Sequence, residues 1–245
     1  MNTFGLIGYP LGHSFSKQYF TDKFEKLGIS ATHVYEKFEL ADIQDFPALI
    51  KSQPHLCGLN VTIPHKQAVM PFLDGLDASA EKVGAVNVIK INKEGKLIGY
   101  NSDYYGFKTS LEAFLPEGKQ IQALVLGNGG AAKAVIAALK DLAIPYKIVS
   151  RTPAADTLAY GDLRAQLPQY PLIINASPIG TYPKAEECPD IPYDLLTSNH
   201  LLYDLVYNPV QTLFLQKGKA QGAKVHNGLP MLHLQAEKAW EIWNA

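Results

Sequence analysis

What this sequence has little of sets the first limits. It carries two cysteines, Cys57 and Cys188, in 245 residues. They stand far apart and in no metal-ligand spacing. No metal is therefore expected, and reduced thiols in a cytosolic protein are. Charge of neither sign is in excess, with formal net charge −1. That excludes the basic footprint of a nucleic-acid or anionic-membrane binder. No apolar run approaches the length of a membrane span. The opening MNTFGLIGYP lacks the basic stretch and apolar core of a signal peptide, which adds to the expectation of a cytoplasmic protein. Internal repeats and low-complexity linkers are missing as well. The length suits two modest domains or one large one, and the partners expected are small molecules.

What is present is organised around Gln122–Leu139, QALVLGNGGAAKAVIAAL. Ala123 to Leu126 is a short apolar run suited to a strand buried on both faces. Gly127, Gly129 and Ala132 then read G-x-G-x-x-A. The first glycine allows a sharp turn, the second a close approach to a diphosphate, and the small alanine close packing of helix on strand. Apolar residues at Ala132, Val135, Ile136 and Leu139 mark one helix face. The first turn of that helix would aim free N–H groups and its positive dipole end at an anion. About half the chain precedes this unit, so a separate element must come before it.

In chain order, strands are expected at Thr3–Ile7, Thr32–Phe38 and Leu56–Val61, with helices starting near Ser14 and Ser16 and spanning 41–51. Pro64 suits the first turn of a helix, which puts Lys66 where a cation is disfavoured unless an anion or carboxylate lies beside it. A helix is expected at 78–83, and then a hairpin turning at Asn92–Gly95 and returning through Tyr100. Asp103 is placed to cap a helix running to Phe114. Further strands are expected at 146–149, 172–176, 201–205 and 224–226. Pro209 can open a helix to about Lys219, and a last amphipathic helix covers 231–243. Strands alternating with helices predict an α/β protein with parallel sheets. Between Arg151 and Leu172 no amphipathic helix of ordinary length is visible.

These residues resemble the shikimate dehydrogenase family along nearly the whole chain. Ser14 and Ser16 fall in its H-S-x-S, and Asn60–Lys66 in its N-V-T-x-P-x-K. Gly84–Asn87 matches G-A-V-N, and Asn101-Ser102-Asp103 with Gly106-Phe107 matches N-T-D-x-x-G-F, serine replacing threonine. Gly127–Ala131 matches G-x-G-G-A, and Asn175–Pro178 matches N-A-T/S-P. Asp204, Tyr207 and Pro209, then Asn227-Gly228-Leu229 and Gln235-Ala236, complete the series. Lys17 replaces a common proline, Thr181 replaces a methionine, and the 153–171 segment is short for the family.

The resemblance implies NADPH-dependent, reversible reduction of 3-dehydroshikimate to shikimate in aromatic amino-acid biosynthesis. It implies a substrate-binding α/β domain, 1–102 with 228–245, and a Rossmann-like NADP-binding domain, 103–227, the C-terminal helix returning to the first. Ser14 and Ser16 would hold the substrate carboxylate. Thr62, Lys66, Asn87, Asp103, Tyr207 and Gln235 would line the ring, with Lys66 and Asp103 catalytic. Gly127, Asn128, Gly129, Gly130 and Ala131 would cradle the cofactor, with Leu205 and Gly228 near the nicotinamide. About 20 residues past the glycine turn an NAD enzyme places an acidic residue against the ribose. Here the residues are Ser150, Arg151 and Thr152, which suit a 2′-phosphate and hence NADP. His65 is a rival proton carrier to Lys66. A quinate or shikimate dehydrogenase using NAD and a non-catalytic nucleotide sensor stand as alternatives, and the chain is expected to be a monomer or homodimer.

Overall fold

The structure, a computed structural model, describes residues 1–245 apart from His13, Ser14, Lys119 and Pro153. It divides into two compact units, Met1–Ser102 with Gln235–Ala245, and Asp103–Leu234.

The first unit contains β1 (Asn2–Gly8), α1 (Phe15–Lys26), β2 (His33–Glu39), α2 (Phe46–Ser52), β3 (Leu56–Val61) and α3 (His65–Ala68). It continues with β4 (Gly75–Leu76), α4 (Ala78–Val83), β5 (Val88–Ile91) and β6 (Leu97–Tyr100). The sheet order is β2-β1-β3-β5-β6-β4. The expected parallel arrangement holds for β1, β2 and β3, and for the short β4 against β6. The Asn92–Gly95 turn reverses the chain too tightly for a parallel crossover, so β6 runs antiparallel to β5, and β5 also pairs antiparallel with β3. Alternation along the strands feeds two cores. Ile7, Leu59 and Ile89 point into a cluster with Phe46, and Phe4, Leu6 and Val88 into one with Phe20, Tyr35 and Trp243. Asp42, not a residue of the helix itself, caps a 3-10 turn at Ile43–Asp45, so the helix expected from residue 41 begins at Phe46.

The second unit takes in nearly all of α5 (Ser102–Phe114), then β7 (Ala123–Leu126), α6 (Gly130–Asp141), β8 (Tyr146–Val149), β9 (Thr157–Leu158) and α7 (Leu163–Gln166). After these come β10 (Leu172–Asn175), β11 (Leu201–Asp204), α8 (Leu213–Ala220), β12 (Lys224–His226) and the start of α9 (Leu229–Asn244). All neighbours in the order β12-β11-β10-β7-β8-β9 are parallel. Ala123, Val125, Leu172 and Ile174 enter one core, and Leu124, Leu126 and Ile173 the other. Burial on both faces is why these strands read as unbroken apolar runs. The chain starts in the middle at β7, runs outward to β9, then returns to β10 on the other side. That reversal creates a crevice at the carboxyl ends of β7 and β10.

Two start signals were misplaced. Asp103 is not the cap of α5 but lies in its first turn, because Ser102 is already helical. Pro209 does not open α8. Thr212 does, its hydroxyl accepting from Leu215 N–H, and a side-chain acceptor at the N-cap outweighs the preference of proline for a first turn.

Candidate active site

In the first unit the polar candidates gather at one end of the strands for a reason of register. Asn60 pairs with Val88, and Val88 with Tyr100. The residues one past β3, one before β5 and two past β6 therefore emerge together. These are Thr62, Asn87 and Ser102. The loops after β1 and β3 are tied by Thr62 N–H to the Ile7 carbonyl (2.9 Å) and Tyr9 N–H to the Ile63 carbonyl (3.1 Å). Lys66 lies in the four-residue α3, and its own carbonyl accepts from Val86 N–H at 2.7 Å. The lysine backbone is thus fixed to the Gly84–Asn87 segment.

Asn87 is the hub. It is 3% exposed. Its Oδ1 accepts from Ser102 N–H (2.7 Å), and its Nδ2 donates to Ser102 Oγ (3.0 Å) and Gln235 Oε1 (3.3 Å). The serine that replaces the threonine of the motif keeps the hydroxyl this network uses. Gln235 is held there by the rest of α9, whose Ala236, Ala239 and Trp243 are buried in the first unit's core. Trp243 Nε1 donates to the Ile89 carbonyl at 3.0 Å. Ser16 lies half-buried in the first turn of α1, and the Tyr35 hydroxyl donates to Asn60 Oδ1 at 2.7 Å. Ser14, the expected partner of Ser16, lies outside the described residues. His65, the rival proton carrier, is 3% exposed, and its Nε2 bonds the Leu40 carbonyl at 2.5 Å. That contact occupies the ring in packing α3 against the strand-end loop at Leu40.

In the second unit, Gly127 ends β7 with φ +105°, a conformation that side chains disfavour. Gly129 caps α6, and no side chain of that cap bonds the first-turn N–H groups. A Cβ added at Gly129 or Gly130 would meet no protein atom within 4 Å. Gly127, Asn128 and Gly129 border a cleft of about 390 Å³, walled also by Ser150, Arg151, Thr152, Tyr160 and Ala176–Ile179. No acidic side chain occurs among the described residues lining it. Open helix N–H groups, a cradle without side chains and an exposed arginine at the β8 end fit a phosphorylated dinucleotide. Ser150 is buried and accepts from Thr152 N–H at 3.2 Å, which shapes the turn that presents Arg151.

Two further expected residues meet in this unit. Gly228 N–H donates to the Val206 carbonyl at 3.2 Å, and a Cβ on Gly228 would overlap the Leu205 carbonyl oxygen. Leu205 and Gly228 are adjacent because residue 228 has no side chain. Tyr207, 38% exposed, follows on the same loop. Sequence reasoning missed Tyr160 as a cleft wall. It also used Asn175–Pro178 only as a family marker. The position of that motif at the end of the strand beside β7 was the available signal.

A parallel sheet with a glycine-lined crevice at its switch point, in a chain whose other unit carries a polar cluster at one end of its strands, defines a dinucleotide-dependent oxidoreductase. Residues 6–89 match the family model described as the shikimate dehydrogenase substrate binding domain. The chain is 38% identical to the shikimate dehydrogenase (NADP(+)) of Desulforamulus reducens, covering 98% of this chain and 88% of that protein. It is 41% identical to that of Clostridium beijerinckii, covering 99% and 92%. The crystal structure of shikimate 5-dehydrogenase from Thermus thermophilus in complex with NADP(H) and shikimate superposes with TM-score 0.86 at 32% identity, covering 99% and 93%. The chain belongs to the shikimate dehydrogenase family. No helix among the described residues is long and apolar enough to cross a membrane.

Proposed function

We propose that Lys66 is the proton donor of a dehydrogenase reaction in which the first unit holds the substrate and the second holds NADP. The reaction is the reversible, NADPH-dependent reduction of 3-dehydroshikimate to shikimate, a step of aromatic amino-acid biosynthesis. When bound, NADPH supplies the hydride to the ketone carbon. The carbonyl oxygen then gains negative charge, and Lys66 Nζ neutralises it by giving up a proton, which it recovers from solvent. In oxidation Lys66 Nζ takes the hydroxyl proton instead. Asp103 is the second catalytic residue and binds a ring hydroxyl. Ser14 and Ser16 donate to the substrate carboxylate, each with one hydrogen. Asn87 and Ser102 occupy Gln235 Oε1, which turns the Gln235 amide hydrogens toward the ring. Thr62 and Tyr207 each bind the substrate ring, and Leu205 and Gly228 support the nicotinamide. The glycine turn, from Gly127 through Asn128, Gly129 and Gly130 to Ala131, receives the diphosphate, and Ser150, Arg151 and Thr152 receive the 2′-phosphate.

The observation that carries this reading is the Asn87 hub. It brings together residues 148 positions apart, Asn87 and Gln235, beside the segment that fixes Lys66. The cleft without acidic residues favours NADP over NAD. The same reading puts the reaction in the cytoplasm, on small molecules, with neither nucleic acid nor membrane as partner and the chain a monomer or homodimer. The test is Lys66→Ala in steady-state kinetics with shikimate and NADP. Loss of a positioned proton carrier should lower kcat by about 10²–10⁴-fold, with KM for shikimate changing much less. A kcat within a few-fold of wild type would remove Lys66 from the chemistry.

A further inference from the structure

β10 and β11 end side by side, Asn175 opposite Asp204. Each strand releases a loop. Residues 176–179 wall the glycine-lined cleft, and residues 205–212 carry Leu205 and Tyr207. Between the loops lies a carboxyl group with no exposure to solvent, that of Asp204. Its Oδ1 accepts from Asn175 Nδ2 (2.9 Å) and from Val206 N–H (3.0 Å), and its Oδ2 accepts from Thr212 Oγ1 (2.5 Å). Asn175 carries the connection onward. Its Oδ1 accepts from Ser177 N–H (3.1 Å) and Ser177 Oγ (2.6 Å), and its Nδ2 also reaches the Ile179 carbonyl (3.2 Å). Thr212 in turn caps α8. Both ends of the 205–212 loop therefore hang on the Asp204 side chain, and the 176–179 loop hangs on Asn175, which Asp204 holds. A buried carboxyl is expensive unless its donors are all in place. Nothing in the chemistry of the reaction uses this one.

We propose that Asp204 is a positioning residue for the dehydrogenase reaction, setting the two loops that hold the cofactor through Asn175, Val206 N–H and Thr212. The proposal rests on the reading of the cleft as the NADP site. It needs acceptors at Asp204 rather than a charge, so geometry and charge are separable. Asparagine can keep its Oδ1 on Val206 N–H and Asn175 Nδ2 while its Nδ2 donates to Thr212 Oγ1, since a hydroxyl also accepts. Leucine has similar bulk and accepts nothing.

The experiment compares wild type, Asp204→Asn, Asp204→Leu, Thr212→Val and Arg151→Ala as full-length proteins. It measures kcat, KM for NADP, the dissociation constant for shikimate without cofactor, and the circular dichroism of each. Asp204→Leu should raise KM for NADP and lower kcat, each at least tenfold, and should weaken shikimate binding clearly less, since shikimate meets these loops through Tyr207 alone. Thr212→Val should show a smaller loss of the same pattern, and it decides the matter if Asp204→Leu does not fold. Asp204→Asn should stay within threefold of wild type. Folded Asp204→Leu or Thr212→Val with wild-type kinetics would overturn the proposal. So would an Asn variant as impaired as Leu, or a loss shared equally by shikimate binding. Arg151→Ala separates the two ideas. If it binds NADP as wild type does, the cleft reading fails and the proposal falls with it. If Arg151→Ala weakens NADP while Asp204→Leu does not, the proposal alone fails.

Discussion

Asp204→Asn also makes a thermodynamic prediction whose sign can be worked out. Burial pushes the Asp204 carboxyl from its ordinary 3.8 up to about 6, and its bonds from Thr212, Val206 N–H and Asn175 offset only part of that push. The folded chain therefore binds the proton more tightly than the unfolded chain does. Stability from this group is fully present below pH 3.8 and is lost as pH rises through about 6. At ~1.36 kcal/mol per factor of ten, the span from 3.8 to about 6 is worth about 3 kcal/mol. Close to half of it, about 1.4 kcal/mol, falls between pH 5 and pH 8. Asparagine has no such dependence. The unfolding free energy of Asp204→Asn minus that of wild type should therefore rise by this amount from pH 5 to pH 8. Other titrating groups, such as His226, whose proton affinity is lowered by burial and by Lys224, cancel in the difference. Tyr193 feels the Asp204 charge, but burial keeps its hydroxyl protonated throughout. Both tryptophans, Trp240 and Trp243, belong to the first unit, so their fluorescence would report on the wrong unit. Amide hydrogen exchange of β10 and β11 in urea reads the right one. A difference independent of pH, or one that falls as pH rises, would refute the reasoning. The latter would mean that the three donors outweigh burial.

Two further predictions follow from the second unit. Arg151→Ala should reduce kcat/KM for NADP at least tenfold and leave NAD nearly unchanged, and the wild-type preference should shrink as salt rises because Arg151 is exposed. Equal use of both cofactors by wild type would reject Arg151 as the phosphate reader. Gly228→Ala would drive a Cβ into the Leu205 carbonyl oxygen, so backbone must move. Its kcat should fall at least tenfold while circular dichroism stays native, and wild-type kinetics would show that the Leu205–Gly228 contact is not part of the site.

The sequence by itself determined whatever depends on near neighbours. The Ala123–Leu126 strand, the Gly127 turn and the α6 face are set within about 18 residues, and apolar period and glycine stereochemistry suffice to read them. The lack of a carboxylate after β8 and the presence of Arg151 are equally local. The family motifs were legible because each occupies consecutive positions. Tertiary structure decided the rest. Only hairpin register brings Thr62, Asn87 and Ser102 to one end of the strands, and only the docking of α9 supplies Gln235 to them. His65 and Lys66 are sequence neighbours with equal claims to carry a proton. The structure treats them differently: His65 is buried with its Nε2 on the Leu40 carbonyl, whereas the Lys66 carbonyl is tied to Val86 N–H. Pro209 carried a stronger local start signal than Thr212, yet Thr212 caps α8 because Asp204, eight positions earlier, holds its hydroxyl. Propensity is a property of the residue, whereas a hydrogen bond needs its partner, and only the fold provides that partner.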